Sequence, residues 1–527
     1  MTTPEAGQAP TKRIAAIDLG TNSFHAVLVD IYPDGSFRTI DKLKEMVILA
    51  EKGMDNHLSE EAMERGLEAL KRIKFLCDSQ QVEQILAYAT SAIREADNGG
   101  EFIQRMIDEV GIKARAISGK MEAELIGLAV RHSISLDEEM VLMVDIGGGS
   151  VEFIVGNREE FVYVTSLKLG VARMAAKYVK EDPITTQEKK ILKQHFKQEL
   201  SGIAEVLQKH SVNTIIGSSG TMENIAAMIA GKNASSEIRI LNELVFTSKE
   251  FRSFYKDFIK LTSKERAQIK ELEEKRVDII NPGMVLLKFL IKEFNIERVK
   301  ISEAALRDGM ILNFINSQKG KPELEMMAHF PDPRKRSIYE LLRKCNWQEQ
   351  HSTHVTNMAL QLFDVLREEL KLPKSDRELL EYASLLHDIG YHISHRKHHK
   401  HALYLIRNSD LRGFREDEIN LMANVARYHR RSTPNKRHPA YKELDKKLRK
   451  RVKKLSALLR VADGLDRSHY QNVQELEIIN EEEKVKLYIS TEGDPELEIW
   501  GALRKSQLFE KVTGKKLEIF AVAEKAK

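Results

Sequence analysis

Two aspartates, Asp18 and Asp145, each end an apolar run and open a loop of small residues: Asp18-Leu19-Gly20-Thr21-Asn22-Ser23 and Asp145-Ile146-Gly147-Gly148-Gly149-Ser150. After each loop the apolar pattern resumes, at 24–31 and 151–156. Such loops suit a phosphate held with a divalent cation. Glycine lets the backbone approach the phosphate, bare N–H groups and hydroxyls donate to its oxygens, and the carboxylate holds the cation or its waters. A third loop, Gly217-Ser218-Ser219-Gly220-Thr221, follows an apolar strand and opens a helix, a ready anion site. Glu152 lies seven residues beyond Asp145, where a hairpin can bring both carboxylates to one cleft mouth to share Mg²⁺. Glu122 falls in the first turn of a helix opening near Ser118-Gly119, where an acid is ordinarily a dipole partner. Arg94 follows a strand at a helix start, and its planar fork suits phosphate.

These residues need strands to aim them. Apolar patterning predicts strands at 14–19, 24–31, 84–89, 112–117, 141–145, 151–156, 161–166 and 213–216. Helices are predicted at 59–79, 100–110, 120–131 and around 187–209. The strand–loop–strand opening recurs 127 residues later, from Asp18 to Asp145, which predicts two similar α/β domains facing a cleft lined by both Asp loops. Beyond 318 the pattern becomes helical, as in 355–370, with a plausible linker at 317–323. After 472 an alternating hairpin (475–490), a helix (499–513) and a last strand (517–523) suggest a small α+β tail. The expected domains are 13–135, 136–318, 319–471 and 472–527.

The composition, 42% apolar and 31% charged over 527 residues, reads as globular. No apolar run approaches the length of a membrane span, and the polar first dozen residues, expected to be a frayed tail, lack a signal-peptide core. Two distant cysteines, Cys77 and Cys345, fit a reducing, cytoplasmic location and argue against a disulfide scaffold. The net charge of +4 is unevenly placed: residues 391–460 hold 20 Lys/Arg against 6 Asp/Glu, which points to an anionic partner.

The ordered motifs AAIDLGTNSFHAVLVD, ATSAIREA, ISGKMEAELIGLAV, VDIGGGSVEFIVG and IIGSSGT resemble the exopolyphosphatase and guanosine-pentaphosphate phosphohydrolase (Ppx/GppA) family. That family belongs to the actin, sugar-kinase and heat-shock ATPase superfamily. The similarity runs from about 13 to 315 and includes RVDIINPGMVLL and SEAALRDGMIL. The resemblance implies two actin-like (ribonuclease H-like) domains. It places Glu122 on the catalytic glutamate, general base for the attacking water, and Asp145 and Glu152 on the Mg²⁺ carboxylates. Asp18, Thr21, Asn22, Ser23 and Arg94 fall on positions that hold terminal phosphates, as do Gly147, Gly148, Gly149 and Ser150, and Gly217, Ser218, Ser219, Gly220 and Thr221. Met121 departs from the many members with an acid there, which removes a like charge beside Glu122 and lowers its proton affinity.

Eleven of the seventeen histidines lie between 351 and 469. His351 opens a helix, His387-Asp388 closes another, and Asp463 lies among leucines, where an acid needs a partner. These residues resemble the metal-dependent phosphohydrolase fold named for its His-Asp doublet (HD), whose pattern is one His, the His-Asp pair and a distant Asp. His401 and His429 are candidates for a second metal there. HKHALYLIRNSDLRGF and ARYHRR also resemble the helical domain of long exopolyphosphatases, which in many members has lost such ligands and serves to bind the chain and dimerise. The alternative to a metal site is a His–Asp hydrogen-bond network joining helices.

The expectation is therefore an α/β chain of two actin-like domains, an all-α HD-like domain and a small α+β tail. It is expected to be a cytoplasmic homodimer that cleaves orthophosphate from inorganic polyphosphate with Mg²⁺, without a membrane or a specific nucleic acid. Guanosine pentaphosphate is the competing substrate. An ATP-dependent kinase or ATPase of the same superfamily would instead form ADP in a nucleoside pocket. A nucleotide sensor with a dead cleft would not need Glu122, Asp145 and Glu152.

Overall fold

The computed structural model describes residues 10–33, 35–49, 57–231, 240–318, 330, 332–491 and 494–522. Residues 1–9 of the expected twelve-residue tail, most of the linker at 317–323 and the end of the last strand lie outside the described residues, while Lys12 at the tail's end already belongs to the first strand. The chain divides into two compact units, one ending at Pro333 and one starting at Arg334.

In the first unit, β1 (Lys12–Leu19), β2 (Ser23–Ile31), β3 (Phe37–Met46), β4 (Gln84–Ala89) and β5 (Ala114–Ala116) form a sheet of order β3-β2-β1-β4-β5. The second sheet comprises β6 (Val141–Ile146), β7 (Val151–Gly156), β8 (Phe161–Leu167), β9 (Thr214–Ser218), β10 (Val245–Thr247) and β11 (Arg298–Ile301), in the order β10-β11-β9-β6-β7-β8. Leaving out β10, the two sheets share one strand order. In each, an antiparallel three-strand meander precedes parallel strands, β1 pairing with β2 and β4 as β6 pairs with β7 and β9. This repetition gives the two similar α/β domains expected from the two Asp loops, in the actin-like architecture that the family resemblance implies.

The central strands are buried on both faces, and period-2 alternation sorts their side chains between cores. On β1, Ala15, Ile17 and Leu19 join an outer core with the helix Glu60–Ser79, while Ile14 and Ala16 join a central one. On β6, Leu142, Val144 and Ile146 join the other outer core, while Val141 and Met143 join the central one. The central core also takes Ala123, Leu125 and Ile126 from helix Gly119–Ser133, and Met310 and Ile311 from helix Leu306–Ser317. These two helices pack closely. A Cβ on Gly309 would lie 2.0 Å from the Leu125 carbonyl oxygen, so only glycine allows the crossing.

The second unit holds helices including Glu349–Leu366, Asp376–Leu385, His398–Arg407, Glu416–Arg427 and Lys446–Gly464. Its three-stranded sheet, β12 (Val473–Asn480), β13 (Lys484–Thr491) and β14 (Lys516–Ala521), packs with helices Glu496–Lys505 and Gln507–Thr513 within the same unit. The single helix expected at 499–513 is thus two. Among the described residues, no helix is long and apolar enough to cross a membrane.

Candidate active site

The alternation that buries Ile14 and Ala16 on the central face also places Asp18 on that face, and Val141 and Met143 do the same for Asp145. Asp145 pairs directly with Glu152 across β6–β7 and with Ser218 across β6–β9, and Glu152 pairs with Ser166 on β8. One row of side chains therefore runs Ser218, Asp145, Glu152, Ser166. The Ser218 hydroxyl donates to Asp145 Oδ2 at 2.6 Å and the Ser166 hydroxyl to Glu152 Oε1 at 2.7 Å, fixing both carboxylates. The facing row on the first sheet carries Asp18, His25 and Lys44 in register.

Both Asp loops line the same cleft: Asp18, Thr21, Asn22 and Ser23 from one sheet and Asp145, Gly147, Gly148, Gly149, Ser150 and Glu152 from the other. A Cβ on Gly148 would meet Asn22 Nδ2 at 3.2 Å, so the loops nearly touch there. The carbonyls of Gly147 and Gly148 accept from the N–H groups of Val171 and Ala172 at the start of helix Val171–Tyr178, which anchors the glycine loop. From the third loop, Ser219 (φ 81°) and Gly220 reach the cleft.

Glu122 enters from helix Gly119–Ser133. The Ser118 hydroxyl caps the helix by accepting from Met121 N–H at 3.1 Å, which puts Glu122 in its first turn. Arg94, on the short helix Ser91–Glu95, donates from Nη1 to Glu122 Oε2 at 2.8 Å and to the Ile117 carbonyl at 3.0 Å. Arg94 thus meets the glutamate directly. Met121 is half-buried against the central core.

The cleft gathers acids that burial and mutual repulsion drive towards the neutral form. Burial pushes Glu122 up to about 7 against the opposing pull of Arg94. It lifts Asp18 to about 6, with Arg307 opposing and Asp145 assisting. Burial raises Asp145, and burial followed by the charges of Glu122 and Asp145 holds Glu152 well above the ordinary range. Hard oxygen donors that repel one another across one cleft fit a divalent cation, which would relieve that repulsion.

The Ppx/GppA phosphatase family matches residues 28–318, more than half of the chain, and its domain III matches residues 334–503. The chain belongs to the Ppx/GppA phosphatase family. It is 29% identical to the crystal structure of an exopolyphosphatase from Cytophaga hutchinsonii (TM-score 0.56), over 58% of this chain and 99% of that one. It is 28% identical to the Aquifex aeolicus Ppx/GppA family member (TM-score 0.51), over 59% of this chain and 99% of that one. A third structure, an exopolyphosphatase-like protein at 22% identity (TM-score 0.52), shares the fold. The chain is accordingly a phosphatase of this family.

Within this Ppx/GppA cleft the expected loop residues play unequal parts. Gly217 and Ser218 belong to β9, and Ser218 acts through Asp145. Thr221 is fully buried, and its hydroxyl accepts from Arg276 Nη1 at 2.9 Å. Sequence reasoning missed the cleft's cations, Lys44, Lys275, Arg276 and Arg307, and a further acid, Glu223, which burial and then Glu303 push up to about 7. Arg307 Nε is buried with no hydrogen-bond partner among the described residues, a donor suited to an anion. The signal for it was present in SEAALRDGMIL, an arginine at the head of an apolar helix.

In the second unit, His351, His387, Asp388, Asp463 and His429 converge as expected, but His401 does not. The phase of helix His398–Arg407 buries His398, His399, Ala402 and Ile406, so His398 enters the cluster and His401 lies half-exposed to one side. Asp463 finds its partner in Lys505, and His469 stacks on His351 with ring centroids 3.7 Å apart. Burial holds His387 below the usual imidazole range and His429 well below it. Burial alone would raise Asp388, yet the imidazoles facing it hold that carboxyl well below its ordinary value.

Proposed function

We propose that the cleft is a Mg²⁺-dependent exopolyphosphatase centre that releases orthophosphate from the end of inorganic polyphosphate. The observation that supports this most is Glu122, a carboxylate near neutrality placed in one cleft with Asp145, Glu152 and three phosphate-loop segments. A group balanced near neutral pH can take a proton from water and return it afterwards, which suits a general base. Arg94 holds Oε2 of Glu122, leaving Oε1 to take that proton. Water attacks the terminal phosphorus, its proton passes to Glu122, and the bond to the bridging oxygen breaks towards the shortened chain. N–H groups of Gly148, Gly149 and Ser150, with Arg276, Lys275 and Arg307, would hold the phosphoryl oxygens while charge redistributes. Mg²⁺ held by Asp145 and Glu152 would supply further charge neutralisation at those oxygens.

Guanosine pentaphosphate hydrolysis uses the same groups and is the second reading. A long polyanion is favoured by the excess of 20 Lys/Arg over 6 Asp/Glu in residues 391–460, which a nucleotide does not need. On this reading the cleft-forming segments 13–135 and 136–318 cut, while 319–471 retains long chains and 472–527 completes its fold. Incubating the protein with polyphosphate, guanosine pentaphosphate or ATP, each with Mg²⁺, and measuring released phosphate tests the proposal. Preferential release from guanosine pentaphosphate would overturn the polyphosphate assignment, and ADP formation with phosphoryl transfer to an acceptor would overturn hydrolysis itself.

A further inference from the structure

Where the third loop meets the first sheet, the cleft carries three cations with a carboxylate between them. Arg276 Nε donates to Glu273 Oε2 at 2.8 Å, while Lys275 Nζ stands 3.3 Å and Lys44 Nζ 3.8 Å from Glu273 Oε1. Lys44 comes from β3, and the other three residues come from the segment that leads into helix Ile280–Glu293. Burial alone would raise the Glu273 carboxyl, yet Arg276, then Lys275 and Lys44, pull it down to about 2. Burial and then the nearness of Lys44 push Lys275 down to about 8. Three cations crowd one carboxylate, so the group as a whole is short of negative charge.

The carboxylate is not what holds this corner in place. The Glu273 N–H donates to Asn224 Oδ1 at 2.7 Å and the Glu273 carbonyl accepts from the Arg276 N–H at 2.8 Å, so its backbone is fixed without its side chain. Arg276 is fixed as well. Its Nη1 donates to the Thr221 hydroxyl oxygen at 2.9 Å, and the guanidinium lies so near Gly220 that a Cβ there would stand 2.1 Å from Nη2. Apart from the cations, the Glu273 carboxylate takes a long 3.5 Å contact from Asn224 Nδ2, and its side chain is 44% exposed, enough to turn towards solvent. Arg276 is also among the charges that oppose the burial raising Asp145, so the cations adjoin the Asp145–Glu152 pair.

We propose that Glu273 determines specificity: in the free enzyme its tethered carboxylate occupies the seat that Lys44, Lys275 and Arg276 offer to a substrate phosphate, and the substrate displaces it. The inference rests on the reading of the cleft as a polyphosphate centre. A carboxylate tethered beside its partners competes at a high effective concentration, as a linked second module does. A single small anion gains little over the carboxylate it would replace. A chain already held by the glycine loop brings its next phosphate at a comparable local concentration and takes the seat. Glu273 therefore favours linked phosphates over free orthophosphate and keeps released product from settling on the same cations.

The test is Glu273→Gln in the full-length protein, which keeps the side chain's shape and both backbone bonds. At saturating Mg²⁺ it should lower KM for tripolyphosphate about 3- to 10-fold, leave kcat within about twofold and strengthen inhibition by orthophosphate. In a Glu122→Gln background, calorimetric binding of tripolyphosphate should tighten by a similar factor. Glu273→Asp, which keeps the charge but withdraws it, should fall between, and it carries the same comparison should the Gln variant not fold. Adding Lys44→Gln should cancel much of the gain, because the freed seat then lacks a cation. A carboxylate that merely ordered the cations would give the opposite sign. Unchanged or raised KM with unchanged or weaker tripolyphosphate binding overturns the inference, as does an equal gain with and without Lys44. A wild type that releases no phosphate from polyphosphate overturns the cleft assignment instead and leaves the binding comparison readable, so the two failures are distinct.

Discussion

Replacing Arg94 with Met removes the guanidinium that donates to Glu122 Oε2 at 2.8 Å while keeping much of the side chain's bulk. Burial raises the Glu122 carboxyl to about 7, and Arg94 is the main opposing influence. A hydrogen bond to a charged group contributes about 1.5–3 kcal/mol, and each pH unit corresponds to about 1.4 kcal/mol. Glu122 is nearly buried, so little of this is lost to solvent screening. Losing Arg94 should therefore move the acidic limb of the kcat–pH profile up by about one to two pH units. The base works as carboxylate, so at pH 7 the active fraction falls from about half to about 1–10%, and turnover drops roughly 5- to 50-fold. Raising the pH should restore much of that loss. A bound cation shifts both profiles downward together and leaves their difference in place. The assay is phosphate release at saturating substrate and Mg²⁺ across pH 5–10, where kcat reports groups in the substrate complex, with Arg94→Lys as an intermediate. A uniform fall in kcat with an unmoved acidic limb would refute the reasoning, leaving Arg94 as a phosphate ligand alone.

Glu122→Gln should lower turnover by roughly 10²- to 10⁴-fold with KM little changed, and a variant keeping more than half of wild-type turnover rules out the base assignment. Asp145→Asn with Glu152→Gln should need far more Mg²⁺ for any activity, and an unchanged Mg²⁺ titration would show that this pair does not hold the ion. Lys446, Lys447, Lys450 and Lys453 are exposed on helix Lys446–Gly464, and changing all four to Gln should weaken retention of long polyphosphate while sparing short chains. Because exposed charges are screened over about 8 Å at physiological ionic strength, that difference should shrink as salt rises, and equal retention by both proteins at low salt would remove the basic helix from substrate holding.

The sequence made the cleft legible wherever burial and chemistry left the same mark. Strands β1, β6 and β9 each carry a short apolar run (14–17, 141–144 and 215–216) that leads into their functional residues, so the pattern and the site were found together. Strand β3 was missed because FRTIDKLKEM is a charged edge strand with no fully buried residue and only Phe37, Ile40 and Leu43 packed on the cores, a spacing that hydrophobic alternation does not register. Strands β10 and β11 are only three and four residues long and pair with each other across a wide gap in sequence. Choosing His401 over His398 was an error of helix phase. Both lie in the run HRKHHKHALYL, and the start of the helix is set by Lys397 at φ 63°, which composition does not reveal. Arg307 stayed hidden because its environment is made by a distant strand pair, although its motif was in plain view.

The parity that sends Asp18, Asp145 and Glu152 to the central face has a consequence for how this family can vary. Side chains on a strand alternate with a period of two, so a single-residue insertion between Val141 and Asp145 would turn Asp145 towards the outer core. The apolar residues would exchange cores at the same time, because both faces of β6 are hydrophobic. Such a chain could still fold, with a carboxylate buried among aliphatic groups and none at the cleft. Substitution scanning along β6 would tolerate many apolar exchanges, while length changes of one residue would abolish activity and changes of two would be better borne. The reaction is thus protected against drift in residue identity and exposed to drift in count, so lineages of this fold should lengthen and shorten in their loops and outer helices and keep these two strands at fixed length.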